Sequence, residues 1–157
     1  MKRLRYILHG FWHFASSHSR HGTHSPFVYR LADKVIYKRT EEKYRRTRIG
    51  DLLVKEIADY FGVVHTLSRV EVGESKALYI EDAVTTVEDL AQLQHQFHYI
   101  VLAGIYNSEY HIRRWRHVCK DGRFIVTIDL FLFGLIFYRR EQPKQNFKLR
   151  FPFWKYL

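Results

Sequence analysis

The stretch Phe97-His98-Tyr99-Ile100-Val101-Leu102-Ala103-Gly104 decides the fold that the sequence predicts. Its apolar run is nearly continuous from Phe97 to Ala103, which is typical of a strand buried on both faces of a parallel sheet. Gly104 is suited to end the strand in a tight turn. We therefore predict an α/β fold whose sheet contains this strand.

Upstream of that strand, the pattern predicts a second strand and a helix. Lys76 to Ile80 is predicted to form a short strand that ends at Glu81-Asp82. Thr85 to Gln94 has helical spacing, and Thr86 can cap this helix with Asp89 three residues further on. These segments predict a strand and a crossover helix before the Phe97 to Ala103 strand.

Downstream, Ser108 to Lys120 is predicted to form a basic helix, followed by two strands. The helix should turn three apolar side chains inward, Ile112, Trp115 and Val118, and three cations towards solvent, Arg113, Arg114 and Arg116. Arg123 to Phe131 and Gly134 to Tyr138 are expected to pair antiparallel. The order strand, helix, strand, helix, strand, strand predicts an α/β sheet with a hairpin at its edge.

The N-terminal segment, Met1 to Ala15, predicts a short amphipathic helix. Its apolar residues at helical spacing are Leu4, Ile7, Leu8, Phe11 and Ala15. We expect this stripe to dock on the chain's own domain, with a membrane surface or a partner as the alternative. His9, Gly10 and His13 interrupt the apolar stretch, so a secretory signal is not expected.

Two further helices precede the sheet. Ser25 is suited to cap the first and Pro26 to begin it, and the helix should extend to about Tyr37. Its predicted apolar stripe is Phe27, Leu31, Val35 and Ile36. A second helix, from Asp51 to Phe61, is expected to bury Leu52, Leu53, Ile57, Tyr60 and Phe61.

The charge balance predicts an anionic partner, with solubility alone as the alternative. Lys and Arg number 26 against 16 Asp and Glu, giving a net charge of +10. RNA, an anionic membrane surface or a larger protein assembly would all suit this charge. The candidate anion-binding residues are Arg45, Arg46, Arg48, Arg113, Arg114, Arg116, Arg139 and Arg140.

Other side chains carry little recognisable chemistry. The one cysteine, Cys119, excludes an internal disulfide and fits a cytoplasmic location, and no apolar run reaches the length of a transmembrane helix. His9 and His13 have i, i+4 spacing, but no Asp, Glu or Cys of matching spacing accompanies them, so no metal site is expected. There is no GxSxG, P-loop or GxGxxG motif.

Two motifs carry a resemblance to a known family. His21-Gly22-Thr23-His24-Ser25-Pro26-Phe27-Val28-Tyr29 resembles the N-terminal signature of bacterial class I SAM-dependent methyltransferase-like proteins, and the run from Ile128 to Gln142 resembles their C-terminal strand pair. The resemblance implies an incomplete Rossmann-like methyltransferase sheet with a C-terminal antiparallel strand pair and N-terminal helices. Residues 1–50 would form a helical extension that holds the HGTHSPF motif, and residues 51–157 the truncated α/β domain.

The same comparison indicates that the cofactor half of that fold is missing. The family places a glycine-rich turn after the second helix, whereas the run from Leu67 to Ser75 retains one glycine, Gly73. We therefore expect no cofactor. If SAM does bind, Glu71 and Gly73 are the candidate contacts. Asp82 is the candidate catalytic residue by resemblance, although we favour a solvated or helix-capping carboxylate there, because no cofactor site is recognised nearby.

Two functions follow from these observations. The first is a non-catalytic methyltransferase-like protein that acts as a basic binding or assembly module in the cytoplasm, with peripheral attachment to the membrane as an alternative location. The alternative is an active SAM-dependent methyltransferase whose cofactor site is completed by oligomerisation or by a partner. The exposed edge of a shortened sheet would allow such a homo-oligomer to form.

Overall fold

A computed structural model of the chain describes residues 2–19, 24–37, 56–57, 59–60, 77–81 and 84–150. Its helices are α1 (Lys2–Ser16), α2 (Pro26–Leu31), which continues as a π-helical turn (Ala32–Ile36), α3 (Val87–Leu93) and α4 (Glu109–Lys120). Its strands are β1 (Ala77–Ile80), β2 (Tyr99–Ala103), β3 (Val126–Asp129), β4 (Phe133–Phe137) and β5 (Gln145–Lys148). The predicted α/β order of strands and helices is confirmed from β1 to β4.

The strands form one mixed sheet in the order β1-β2-β4-β3-β5. β1 and β2 pair in parallel, β4 runs antiparallel to both of its neighbours, and β3 pairs in parallel with β5. The carboxyl ends of β1, β2, β3 and β5 therefore lie along the same side of the sheet, which we call the carboxyl edge.

The antiparallel pairing of β3 with β4 confirms the prediction. The predicted position of this pair at the edge of the sheet is wrong. β4 lies inside, between β2 and β3, and β5 forms the border strand. β5 was not among the predicted strands. Its residues, Gln-Asn-Phe-Lys, are mostly polar and only partly buried, so they carry no apolar run by which a strand could be recognised.

Helices cover both faces of the sheet. On one face, α2 and Ile57 pack with Val101, Ile128 and Leu135, and on the other, α3 and α4 pack with Ile100 and Ile136. Alternate residues of a strand point to opposite faces, so apolar residues on both faces require two helical layers. The near-continuous apolar run of β2 is explained by this burial.

Helix caps follow the sequence predictions. The Ser25 hydroxyl accepts a hydrogen bond from the backbone N–H of Val28 at 3.4 Å, at the start of α2. Thr86 and Asp89 form a reciprocal capping box at α3, in which each side chain accepts a bond from the other residue's N–H. These bonds satisfy N–H groups that the first turn of a helix leaves without intrahelical partners.

The predicted docking face of α1 is wrong. The helix does pack on its own domain, but Leu4, Leu8 and Phe11 of the predicted stripe are 58 to 64% exposed. The face that packs against the domain includes Gly10 and His13, which are buried. Apolar spacing alone predicted the orientation, whereas a buried polar contact of His13, described below, decides it.

Two smaller expectations are also wrong. Arg114 was expected to face solvent but is 4% exposed, because its Nη1 donates a 2.9 Å hydrogen bond to the carbonyl of Thr85. Tyr60 was expected to be buried but is 41% exposed. Its neighbour Ile57 is buried as predicted, while Leu52, Leu53 and Phe61 lie outside the described residues.

Candidate functional site

A buried aspartate, Asp129, ends β3 at the carboxyl edge of the sheet. One oxygen, Oδ1, accepts bonds from His13 Nε2 at 2.7 Å and from the backbone N–H of Phe131 at 2.9 Å. The other, Oδ2, accepts from the Tyr106 hydroxyl at 2.9 Å and from Trp115 Nε1 at 3.0 Å. Four donors therefore converge on one carboxylate, and we call these five residues the Asp129 cluster.

His13 brings α1 into the cluster. An ionised carboxylate can only accept, so the Nε2 atom of His13 must carry the hydrogen of the bond to Asp129. The His13 ring is 1% exposed and packs edge-on against Tyr106, with 5.8 Å between ring centroids. The bond between His13 and Asp129 joins residues 116 positions apart, which no local pattern in the sequence could indicate.

Trp115 reaches the cluster from α4 because β4 has a glycine beneath it. A Cβ atom built on Gly134 would lie 2.5 Å from Cζ3 of Trp115, far inside contact distance. The indole therefore lies directly over the β4 backbone and directs its N–H at Asp129. Any larger residue at position 134 would displace it.

The turn after β3 has a strained backbone. Phe131 has a φ of 67°, in the left-handed region that non-glycine residues seldom adopt. This conformation allows its N–H to return to the Asp129 carboxylate, and the Phe131 ring stacks on Tyr106 with 4.9 Å between centroids. Such strain persists where surrounding contacts over-determine the conformation.

The electrostatics of the cluster favour the ionised carboxylate. Burial raises the pKa of Asp129, but the hydrogen bond and charge of His13 and the bonds from Phe131 and Tyr106 outweigh burial, so the pKa lies below its ordinary value of 3.8. For Tyr106, burial and the neighbouring Asp129 charge both raise the pKa of the phenol. The carboxylate is therefore held ionised, and the phenol neutral, at physiological pH.

α1 lies across the carboxyl edge. Besides His13, its Tyr6 ring packs on Phe131 with centroids 5.0 Å apart, and Arg5 forms an ion pair with Glu109 at the start of α4. After the helix, His18 pairs in parallel with Leu149 beside the end of β5. The chain's own N-terminal segment therefore packs on the turns that follow β2 and β3 and lies beside the end of β5.

The thiol of Cys119, on α4, is also largely enclosed. Burial raises the pKa of its thiol to about 11, and its Sγ lies 3.7 Å from the Thr127 hydroxyl. A thiol with so high a pKa is almost wholly protonated at neutral pH and is a poor nucleophile. The bonds to Asp129 act as a structural clamp that joins α1 to β3, to α4 and to the turn after β2.

The predicted site residues that the structure describes are not part of this cluster. Ser25 and Pro26 lie at the start of α2, and His24 is exposed just before them. The cations at 113 and 116 are exposed on α4. Several predicted residues lie outside the described part of the chain: His21, Gly22, Arg45, Arg46, Arg48, Glu71, Gly73 and Asp82.

Arg139 and Arg140 lie in the segment after β4. The guanidinium of Arg139 lies 4.1 Å from the ring centroid of Phe27, and that of Arg140 lies 5.2 Å from the centroid of Tyr138. Arg139 also forms an ion pair with Glu141. Both cations are partly engaged within the chain, and their binding to anions stays a prediction.

Sequence reasoning missed Asp129, His13 and Tyr106 as site residues. Asp129 did carry a signal, because it is the only charged residue in the apolar run from Phe124 to Phe137. A charge that is buried in such a run needs partners. His13 and Tyr106 carried no comparable signal, since only the tertiary structure brings them to the aspartate.

No protein family, curated protein or solved structure matches this chain. Within the described ranges, no three His, Cys, Asp or Glu side chains are grouped so that they could hold a metal ion. In the same part of the chain, no helix is both long enough and apolar enough to cross a bilayer.

Proposed function

We propose that this chain is a non-catalytic, methyltransferase-like protein that binds an anionic partner through its basic surface. The observation that carries the proposal is the position of α1, which the Asp129 cluster holds across the carboxyl edge. In open α/β sheets, ligands bind outside the carboxyl ends of the strands. Here α1 lies at that edge, packed on Asp129 at the end of β3 and on the turns that follow β2 and β3.

The methyltransferase-like ancestry rests on the resemblance of two motifs, and the arrangement of the sheet supports it. The run from Ile128 to Gln142 contains the β3–β4 antiparallel pair that the resemblance implies. The HGTHSPF motif leads into α2, which packs on one face of the sheet with Val101 and Ile128. The absence of any family match leaves this ancestry a proposal.

We propose no SAM site among the described residues. A cofactor cradle needs bare backbone that is open to the ligand, as glycines provide. Gly104 is the glycine at the end of β2, but a Cβ atom there would lie 2.2 Å from the Asn107 amide, so its own turn fills the space. The candidates Glu71, Gly73 and Asp82 lie outside the described residues, and we derive no methyl-transfer step.

The anionic partner is supported by charge. The chain carries a net charge of +10, and Arg113 and Arg116 are exposed on α4. A positive surface of this kind attracts polyanions over long range, and the attraction weakens as salt screens it. The binding we propose is therefore electrostatic in its first step.

Two measurements test this function. Calorimetric titration with SAM should give no saturable heat, whereas a micromolar Kd, about −8 kcal/mol, would restore the enzyme with a site completed by oligomerisation or a partner. Elution from immobilised heparin should shift to lower salt in an Arg113→Gln, Arg116→Gln variant. Lack of retention of the native chain at low salt, or retention that does not depend on salt, would refute the anion-binding proposal.

A further inference from the structure

The outward face of α1 is strongly apolar. Leu4, Leu8, Phe11 and Trp12 are 58 to 72% exposed and lie on one side of the helix, opposite the buried Gly10 and His13. Residues at i, i+4, i+7 and i+8 share one helix face, so the four side chains form one continuous stripe. We call it the outward stripe.

The Asp129 cluster fixes this orientation. Turning the outward stripe towards the sheet would remove His13 from Asp129 and leave a buried carboxylate short of one donor. It would also separate Tyr6 from Phe131. Loss of one partner from a buried charge is strongly unfavourable, so the helix is held with its apolar face in solvent. The fold thus presents the stripe and does not bury it.

Cationic residues lie at both ends of α1. α1 contains no acidic residue, and its sequence begins with Lys2 and Arg3. At its other end, Lys148 Nζ donates to the Ser16 hydroxyl at 2.5 Å. Close by, the Arg150 guanidinium lies 4.8 Å from the ring centroid of Phe14. Two described acidic side chains pair with this helix from outside: Asp129 with His13, and Glu109 with Arg5.

We infer that the outward stripe docks on an anionic membrane surface, with α1 lying in the plane of the lipid headgroups. This inference rests on the proposed binding of an anionic partner and names that partner. A helix with Leu, Phe and Trp on one face and Lys and Arg beside it is the kind that inserts its apolar face into the headgroup boundary. Anionic lipids add an attraction for each nearby cation.

The charge and the chemistry of the stripe favour a membrane over other occupants. A second copy of this chain would bring a second set of cations against the first, and a net charge of +10 opposes that contact. RNA would offer charge but no apolar phase for Leu4 and Leu8. A bilayer surface supplies both the negative charge and the apolar depth.

Vesicle flotation tests the inference with the full chain. We expect binding to phosphatidylcholine vesicles that contain phosphatidylglycerol, and little binding to phosphatidylcholine alone. A Leu8→Gln, Trp12→Gln variant should bind the anionic vesicles about a hundredfold more weakly, since two large apolar side chains no longer insert. Because both side chains are exposed, circular dichroism should show an unchanged fold.

The matched control is Val84→Gln, which removes an apolar side chain that is 74% exposed outside α1. It should bind vesicles as the native chain does. Equal vesicle binding by the double variant and the native chain, or no vesicle binding by the native chain, would overturn the membrane inference.

Heparin retention distinguishes failure of the membrane inference from failure of the proposed anion binding. If retention persists, only the membrane inference fails, and if it is lost in the native chain, the anion-binding function fails as well. A concentration-dependent dimer that the double variant abolishes would show that the stripe binds a second copy, and would also overturn the inference.

Discussion

Replacing Asp129 by Asn tests whether one carboxylate holds α1 to the sheet. Asn has nearly the same shape but offers one oxygen acceptor and one NH₂ donor in place of two acceptors. In one orientation the NH₂ group faces Trp115, whose indole N–H cannot accept. In the other it faces the backbone N–H of Phe131, which cannot accept either. Each orientation therefore leaves a buried donor without an acceptor.

The cost follows from the hydrogen bonds that remain. An unsatisfied buried donor costs about 1–3 kcal/mol. The bonds that survive lose their charge, and a bond to a neutral group is weaker than one to a charged group by about 1 kcal/mol. Removal of a buried charge offsets part of this loss. We expect the free energy of unfolding to fall by about 3 kcal/mol in the Asp129→Asn variant.

Urea denaturation, monitored by tryptophan fluorescence, measures this free energy. Trp115 is buried in the cluster and should report its loss. Glu141→Gln is the matched control, because it removes the same charge from an exposed carboxylate and should change stability by less than about 0.5 kcal/mol. Hydrogen exchange should also be faster in α1 of the Asp129 variant, because His13 has lost its charged acceptor.

The pH dependence provides a second measurement on the same variant. The pKa of Asp129 is lower in the folded chain than its ordinary value of 3.8, so the ionised carboxylate stabilises the fold fully above that value. The contribution is lost as the pH falls through 3.8 towards the lowered pKa. The difference in stability between the native chain and the Asn variant should therefore narrow at acid pH. A loss below about 1 kcal/mol at neutral pH, or a difference that does not depend on pH, would refute the role assigned to Asp129.

Three further changes probe the packing around the sheet. Gly134→Ala should lower the free energy of unfolding by about 1–3 kcal/mol, because the new methyl group displaces Trp115. Urea denaturation measures this loss, and a variant as stable as the native chain would contradict the contact. Thr86→Ala should lower the free energy of unfolding by about 1 kcal/mol, because it removes the hydroxyl that accepts the hydrogen bond from the Asp89 N–H. Thermal denaturation measures this loss, and an unchanged Tm would contradict the capping box. At pH 8, Cys119 of the folded chain should react with a thiol reagent at least about a hundredfold more slowly than Cys119 of the chain unfolded in urea, since burial raises the pKa of the thiol from 9.0 to about 11. Equal rates would show that the thiol is accessible in the folded chain.

Local pattern was sufficient for most of the secondary structure. The run around Ile100 predicted β2 because a strand buried on both faces needs apolar residues at successive positions. The caps at Ser25 and Thr86 were readable because a cap depends on residues within one turn of the helix. Even the antiparallel β3–β4 pair could be predicted, since the two strands adjoin in the sequence.

Long-range pairing was not readable in the same way. β5 carries no apolar run and is recognised as a strand only through its pairing with β3. Arg114 lies in a basic run that predicts a solvated face, yet it is buried because the carbonyl of Thr85, 29 residues away, lies within its reach. Both outcomes depend on which segments the fold brings together.

The sequence by itself determined the α/β class, the positions of β1 to β4, the helix caps, the amphipathic character of α1 and the net positive charge. Only the tertiary structure decided which face of α1 is buried. The hydrophobic pattern favours burying Leu4, Leu8 and Phe11, but an ionised aspartate inside the fold must find donors, and His13 supplies one from the opposite face. The need to satisfy one buried charge therefore outweighs the apolar stripe and leaves it facing outward.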